Sequence, residues 1–424
     1  MSLRDEIWAE VYPQMQLLRL ELSNTGEVPH EACARLLDRE VRRLEATALD
    51  EHGHSLDDAD IDWLRGKVGM LLGAGPLEPF LQRPDVENIY FFGPHFGLLG
   101  LSGGRKERIS EQVFADEADM IRFISHLAAT HGQTGRRFDS GAPMLDLRLS
   151  SGERLFAAME VTQEPYLTVR CHRHRRVRLE DLVEAGSLTD RAADFLRAAV
   201  RPPAPVNLVV GGALGAGKTT MLRALLAEIG PSEIVCTLEQ TYELFLHESH
   251  PMTFAAETRE ANNEGLGAVE MPELSVRSLR SGVDRVVIGE IRGPEAAAFL
   301  AACGTGSDGS MSTIHASTPR QALSRLLRYC LAGSGADLRI SLTQEISDVI
   351  HLVILMRSDM RSGFRGVHAI AEVVPGDSGL ETRDIFRRID RRGGLAYVAA
   401  PRNVELLERL REGGLDMCDW QPES

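Results

Sequence analysis

The chain has no paired cysteines. Its six cysteines, Cys33, Cys171, Cys236, Cys303, Cys330 and Cys418, are scattered singly. Without a Cys-x-x-Cys pair there is no basis for a zinc ribbon or a disulfide framework, and the residues read as reduced thiols. No apolar run approaches the roughly 18 residues of a membrane span. The opening Met1-Ser2-Leu3-Arg4-Asp5-Glu6 is acidic where a signal peptide would be basic, so a cytoplasmic location is expected. No internal repeat is found. Positive charge is in deficit: 47 Lys and Arg face 62 Asp and Glu, a formal charge of −15. That balance opposes general nucleic-acid binding through phosphates. What remains, 43% apolar and 26% charged residues over 424 positions, is a soluble globular composition and too much chain for one ordinary core.

The strongest local signal lies mid-chain. The apolar, β-branched run 206–210 leads into Gly211-Gly212-Ala213-Leu214-Gly215-Ala216-Gly217-Lys218-Thr219-Thr220, and a helix-forming stretch, 221–229, follows. Gly-x-x-x-x-Gly-Lys-Thr between a strand and a helix is a phosphate-binding loop in its proper setting. The glycines let successive backbone N–H groups turn inward, and the helix N-terminus adds partial positive charge. Gly212, Gly215, Ala216, Gly217, Lys218, Thr219 and Thr220 are therefore the expected nucleotide-binding residues. Lys218 is suited to the β- and γ-phosphates, and the Thr219 hydroxyl to Mg²⁺.

Around this loop the chain divides into a helical extension (1–74), an α+β domain (75–170), a basic and helical linker (171–204), a P-loop domain (205–375) and a C-terminal appendage (376–424). Helical spacing of apolar residues carries the first segment. The second alternates short strands with one helix over 117–131, and strands are expected at 89–92, 97–101, 144–149, 154–159 and 166–170. The dense basic stretch 170–178 lacks interleaved aromatics, which argues against a stacking platform for single strands; a linker close to nucleotide is the favoured reading, with an arm for nucleic acid or anionic lipid as the alternative. His52 and His54 have no further ligands nearby and read as a polar loop. From 205 to 375 strands and helices alternate, the pattern of a doubly wound α/β core.

A P-loop needs an acid at the end of another strand. The run 285–290 delivers Glu290 at a strand's C-terminal end, where ligands gather in such sheets, with Gly289 where the usual Asp of the motif would stand. Glu290 can then serve Mg²⁺ through water, activate the attacking water, or both. Glu239 ends the run 234–239 in the same way, and the two are candidate bases. The Gly/Ser-rich stretch 304–310 enters a strand that ends on His315, where a polar side chain can report the γ-phosphate.

Together these pieces resemble the secretion-superfamily ATPases, the motors of type II and type IV secretion and of type IV pili, and most closely the CpaF-like Tad pilus branch. The resemblance runs from about 75 to 386 and includes Gly75-Pro76-Leu77-Glu78-Pro79, Gly135-Arg136-Arg137-Phe138-Asp139, the Walker A loop, an Asp box at 238–244, Glu257-Thr258-Arg259, Walker B at 288–293 and a His box ending at His315. It implies a RecA-like motor domain, a six-membered homomeric ring, ATP with Mg²⁺ at the cleft between two domains, and an inner-membrane platform protein as partner at the cytoplasmic face of the membrane. It also implies that arginines such as Arg148, Arg154, Arg170 and Arg280 neutralise phosphate charge, and that Arg292 joins Lys218, Glu239, Glu290 and His315 at the reacting centre. The expected function is an ATP-hydrolysing motor for assembly of a Tad or type IV-like pilus or for protein export. A nucleotide-gated ring with little hydrolysis and a motor for conjugative DNA transfer are the alternatives. Three positions depart from the family pattern: Gln240 in the Asp box, Ser307 in the His box, and Gly282 where a second arginine is usual.

Overall fold

A computed structural model describes residue 63 and residues 74–423, apart from short stretches at 132–135, 150–151, 172–175, 262–264, 335–337, 360–363, 377–378, 390–393 and 418–419. The helical extension, His52, His54 and most of the basic stretch lie outside the described residues. Those described form two compact units, one up to Cys171 and one from Arg176 onward.

The first unit is one antiparallel sheet with a helix on one face. Its strands β1 (Val86–Phe92), β2 (Gly97–Leu101), β3 (Lys106–Arg108), β4 (Met144–Arg148), β5 (Arg154–Ala158) and β6 (Tyr166–Arg170) are ordered β3-β2-β1-β6-β5-β4. Alternation decides the faces. Ile89, Phe91, Leu145, Leu147, Leu155, Ala157, Leu167 and Val169 are buried with Met120, Ile124 and Leu127 of α1 (Glu117–His131). Asp116 starts that helix, its carboxylate accepting from the Asp119 N–H at 2.7 Å.

The second unit carries a nine-stranded sheet, ordered β15-β14-β13-β12-β7-β11-β10-β8-β9. Strands β7 (Leu208–Gly212), β8 (Val235–Glu239), β9 (Thr253–Glu257), β10 (Arg285–Ile288), β11 (Met311–His315) and β12 (Leu352–Asp359) are parallel; β13 (Phe364–Gly376), β14 (Gly379–Arg388) and β15 (Leu395–Tyr397) extend the sheet antiparallel. β7, β8 and β10 are buried along their whole length, because helices cover both faces. Helices α2 (Leu179–Glu184), α3 (Asp190–Val200) and α4 (Lys218–Leu226) pack on the face of Leu208 and Val210, and α5 (Met271–Ser278), α6 (Glu295–Gly304), α7 (Pro319–Ser334) and α8 (Arg339–Val349) on that of Val209. One strand, β11, stands between the P-loop strand β7 and the acid-bearing β10, which is the RecA-like order.

Two segments differ from the expectation. The stretch read as a linker contributes α2 and α3, whose Leu179, Phe195 and Leu196 are fully buried in the cluster that holds Leu208 and Met221. The stretch read as an appendage supplies β14 and β15 to the same sheet, and α9 (Val404–Glu412) buries Leu406 and Leu410 in that cluster. Both belong to the second unit because their apolar faces seal one side of its sheet.

Candidate functional site

The site of the second unit forms where parallel strands end. β7 ends on Gly212, and a Cβ there would stand 2.9 Å from the Met356 carbonyl oxygen, so only glycine lets the chain turn against β12. Gly215 and Gly217 adopt φ of 72° and 97°, the left-handed region in which glycine is unstrained. With the backbone turned, α4 begins at Lys218 and Thr219 lies in its first turn. Lys218 is almost wholly buried; its ammonium donates to the Ala213 carbonyl at 3.1 Å and stands 3.4 Å from His315 Nδ1.

From Lys218 a chain of polar contacts crosses the ends of three strands. His315 Nε2 is 2.9 Å from Glu290 Oε1. Glu290 Oε2 accepts from Arg292 at 2.7 Å, and Arg292 donates to the Gln240 side-chain oxygen at 2.8 Å. Burial, and then the Lys218 charge, hold His315 below its ordinary range, so the ring is neutral at neutral pH. Its approach to Glu290 is off the hydrogen-bond direction, and Oε1 is left as a buried acceptor without an aligned donor. Gln240, where the family pattern has an acid, still ties the end of β8 to Arg292, as a neutral acceptor.

Glu239 lies deeper. Its Oε1 accepts from the N–H groups of Glu243 and Leu244 at 2.8 and 2.9 Å, closing the turn of the Asp box. Burial nevertheless pushes its carboxyl up to about 8. Burial thus favours the protonated form of Glu239 at neutral pH, and the two acids that sequence could not tell apart differ in environment. The rest of the box is braced by Arg223, which donates to the Glu243 carbonyl at 2.6 Å and stacks over Phe245, and by Tyr242, whose hydroxyl donates to Ala255 O.

Other expected residues fall elsewhere. Arg280 follows α5 and leads to the N-terminal end of β10, the end of the sheet opposite the P-loop, so the structure does not bring it to Lys218. Gly282, in the same turn, has φ of 66°, a conformation that the arginine usual there would adopt only with strain. Ser307 precedes β11 at that end too, its hydroxyl bonded to Val283 O.

The first unit gathers the remaining arginines. Arg148 pairs directly with Arg154 across β4 and β5, Arg154 with Arg170 across β5 and β6, and Arg170 with Asn88 of β1. Direct cross-strand partners share a face, so three guanidinium groups form one row. Asp146 stands 3.6 Å from Arg154 and pairs with it. Sequence named each arginine but not the row, because register is not readable from spacing.

The Thr219 hydroxyl and the Glu290 carboxylate, whose buried Oε1 lacks an aligned donor, fit Mg²⁺, which takes few protein ligands beside substrate phosphates. Among the described residues no group of three or more His, Cys, Asp or Glu forms a metal cage, and none is needed for a metal carried in with nucleotide. Nor is any described helix long and apolar enough to cross a membrane.

A P-loop strand, an acid-bearing strand and a polar strand end in this order define the RecA-like P-loop class of fold. The chain belongs to the type II/IV secretion system protein family, whose model matches residues 105–379. It is 34% identical over 320 residues to the type IV secretion system protein PtlH of Bordetella pertussis, covering 68% of this chain and 90% of the relative. A Mycobacterium tuberculosis protein whose name assigns it provisionally to conjugal transfer is 32% identical over 309 residues, 71% of this chain and 84% of the relative. Among solved structures, the VirB11 ATPase of the Brucella suis type IV secretion system matches with TM-score 0.36 and 23% identity, over 70% of this chain and 94% of that one. The pilus retraction motor PilT matches with TM-score 0.49 and 13% identity, over 79% of this chain and 86% of that one.

Proposed function

We propose that this chain is a Mg²⁺-dependent ATPase that works as a homohexameric motor on an inner-membrane platform protein at the cytoplasmic face of a secretion or pilus machine, with assembly of a Tad or type IV-like pilus as the particular role. One observation carries the reading: the contacts from Lys218 through His315, Glu290 and Arg292 to Gln240 join the phosphate loop to the ends of three strands. An arriving γ-phosphate competes with His315 for the Lys218 ammonium, so binding and loss of that phosphate reach β11 and β10 directly. Glu290, beside the phosphate end, is the base that activates water; Glu239, whose burial favours its protonated form, positions the Asp box and the hydrated ion. Mg²⁺ supplies charge neutralisation at the β- and γ-phosphates, with Thr219 and, through water, Glu290 holding it. The arginine row of the first unit and Arg280 are phosphate partners within a ring.

Family membership supports the motor over the non-hydrolysing ring, and so do the two odd residues. Gln240 keeps its bond to Arg292, and Ser307 lies at the end of the sheet away from the phosphates. The −15 charge favours protein export or pilus assembly over DNA transfer.

The test is phosphate release from Mg·ATP by wild type, Lys218→Ala and Glu290→Gln. Lys218→Ala loses nucleotide binding and turnover together; Glu290→Gln retains binding and loses turnover by on the order of a hundredfold or more. Equal turnover in wild type and Glu290→Gln would sink the motor reading and leave the nucleotide-gated ring.

A further inference from the structure

We propose that Arg365 is a nucleotide-binding residue, which clamps the α-phosphate end of the substrate from the flank of the P-loop turned away from His315. The inference rests on the reading of the P-loop as an ATP site and deepens it.

The position is built. Arg365 is the second residue of β13 and stands directly opposite Ser358 of β12. Its carbonyl accepts from the Ser187 hydroxyl at 2.7 Å, and the Val367 N–H donates to Ser187 O at 2.9 Å. At Gly366 the backbones touch: a Cβ there would be 2.7 Å from Ser187 Cα and from Ser187 O. A register shift opposite Leu355 and Met356, with His368 as the extra residue, bends the strand just beyond. The backbone of Arg365 is thus held on three sides while its side chain is exposed.

That side chain reaches the phosphate loop. A Cβ on Gly217 would meet Arg365 Nε at 3.4 Å and Met356 Cε at 3.5 Å. Arg365 therefore lies against the residue that caps α4, where backbone N–H groups already concentrate positive charge. Among the described residues it is in no ion pair. The loop is built for phosphate, and a guanidinium beside its capping residue can add a charge-assisted, forked contact to that anion.

Strand order then says which phosphate. β11 and β10, with His315 and Glu290, lie on one side of β7 and mark the terminal phosphate; β12 and β13 lie on the other. An extended nucleotide with its γ-phosphate toward His315 trails its α-phosphate and ribose toward Arg365. That part is common to ATP and ADP, and it does not change in the transition state. Arg365 consequently contributes uniform binding rather than rate.

The experiment measures Kd for Mg·ADP and for a non-hydrolysable ATP analogue, with KM and kcat for ATP, in wild type, Arg365→Gln, Arg365→Lys and Lys218→Ala. The melting point without nucleotide reports that each variant is folded. Arg365→Gln is expected to weaken both nucleotides by the same factor, roughly ten- to a hundredfold, with kcat at saturation kept within about twofold. Arg365→Lys, which keeps the charge but loses the fork, falls between. If Arg365→Gln binds both nucleotides as wild type does while Lys218→Ala does not, the proposal is wrong and the P-loop reading survives. A fall in kcat with Kd unchanged overturns it too, since Arg365 would then act on the reaction and not on binding. If wild type itself binds neither nucleotide, the P-loop reading fails and this inference with it.

Discussion

Gly289 and Glu239 share one space. β8 and β10 are neighbours in register, Leu238 against Ile288, so the residues that follow meet side by side, and a Cβ on Gly289 would stand 3.2 Å from Glu239 Cγ. The missing side chain at 289 is what admits the buried carboxyl of the adjacent strand. Sequence showed the glycine as an absent acid; structure shows it as room for one. Burial raises the Glu239 carboxyl from its ordinary 4.5 to about 8. Between those values the folded protein keeps a proton that the unfolded chain has released. This contribution to stability is therefore complete below the lower value and is lost as pH rises toward the upper one. Glu239→Gln mimics the protonated form and still accepts from Glu243 and Leu244. From about pH 5 to about pH 8.5 the melting point of the nucleotide-free wild type should fall relative to Glu239→Gln, by on the order of a few degrees. A constant difference across that range would show that Glu239 is ionised throughout.

At the scale of the element, five of the first unit's six strands were legible, with β1 starting three residues earlier than expected and β3 missed. Alternation in 144–149, 154–159 and 166–170 assigned each arginine to a strand end, and these three strands fell within a residue or so of expectation. Register was not legible, since pairing follows from long-range packing that no local window contains. β3, β9 and β15 were missed for a related reason: strands of three to five residues at the sheet edges carry too little periodicity to stand out. The row Arg148, Arg154 and Arg170 emerges only when register is known, and it makes a sharp expectation. Like charges directly opposite destabilise by about 0.2–1 kcal/mol per pair. Replacing all three by Gln should leave the melting point of the nucleotide-free protein unchanged or raise it slightly. The same replacement should lower ATP turnover by a hundredfold or more if these groups neutralise transferring phosphate. A structural row would give the reverse: a lower melting point and turnover retained by the folded fraction.

Across the whole molecule, the doubly wound core was readable because buried parallel strands are continuous apolar runs, and the P-loop fixed where its ligand end lies. The outer boundaries were not readable. Amphipathic helices such as α2, α3 and α9 look alike whether they bridge units or seal a sheet, and only the burial of Leu179, Phe195, Leu406 and Leu410 decides. The proposed ring must also overcome charge. Each chain carries a formal −15, and chains brought together in a ring repel one another. Against that repulsion the second unit exposes Ile234, Met252, Phe254, Val276 and Leu279, apolar surface available for burial. Raising salt from about 0.01 M to about 0.1 M shortens the screening length from roughly 30 to 10 Å, so it should favour assembly. Turnover per chain should therefore rise with protein concentration, and the midpoint of that rise should move to lower concentration as salt is added over this range. Sedimentation under the same conditions should show the hexamer growing in step with activity. Turnover per chain that stays level from nanomolar to micromolar protein, with a monomer in the centrifuge, would mean that one chain completes its own site and that the ring is not required for hydrolysis.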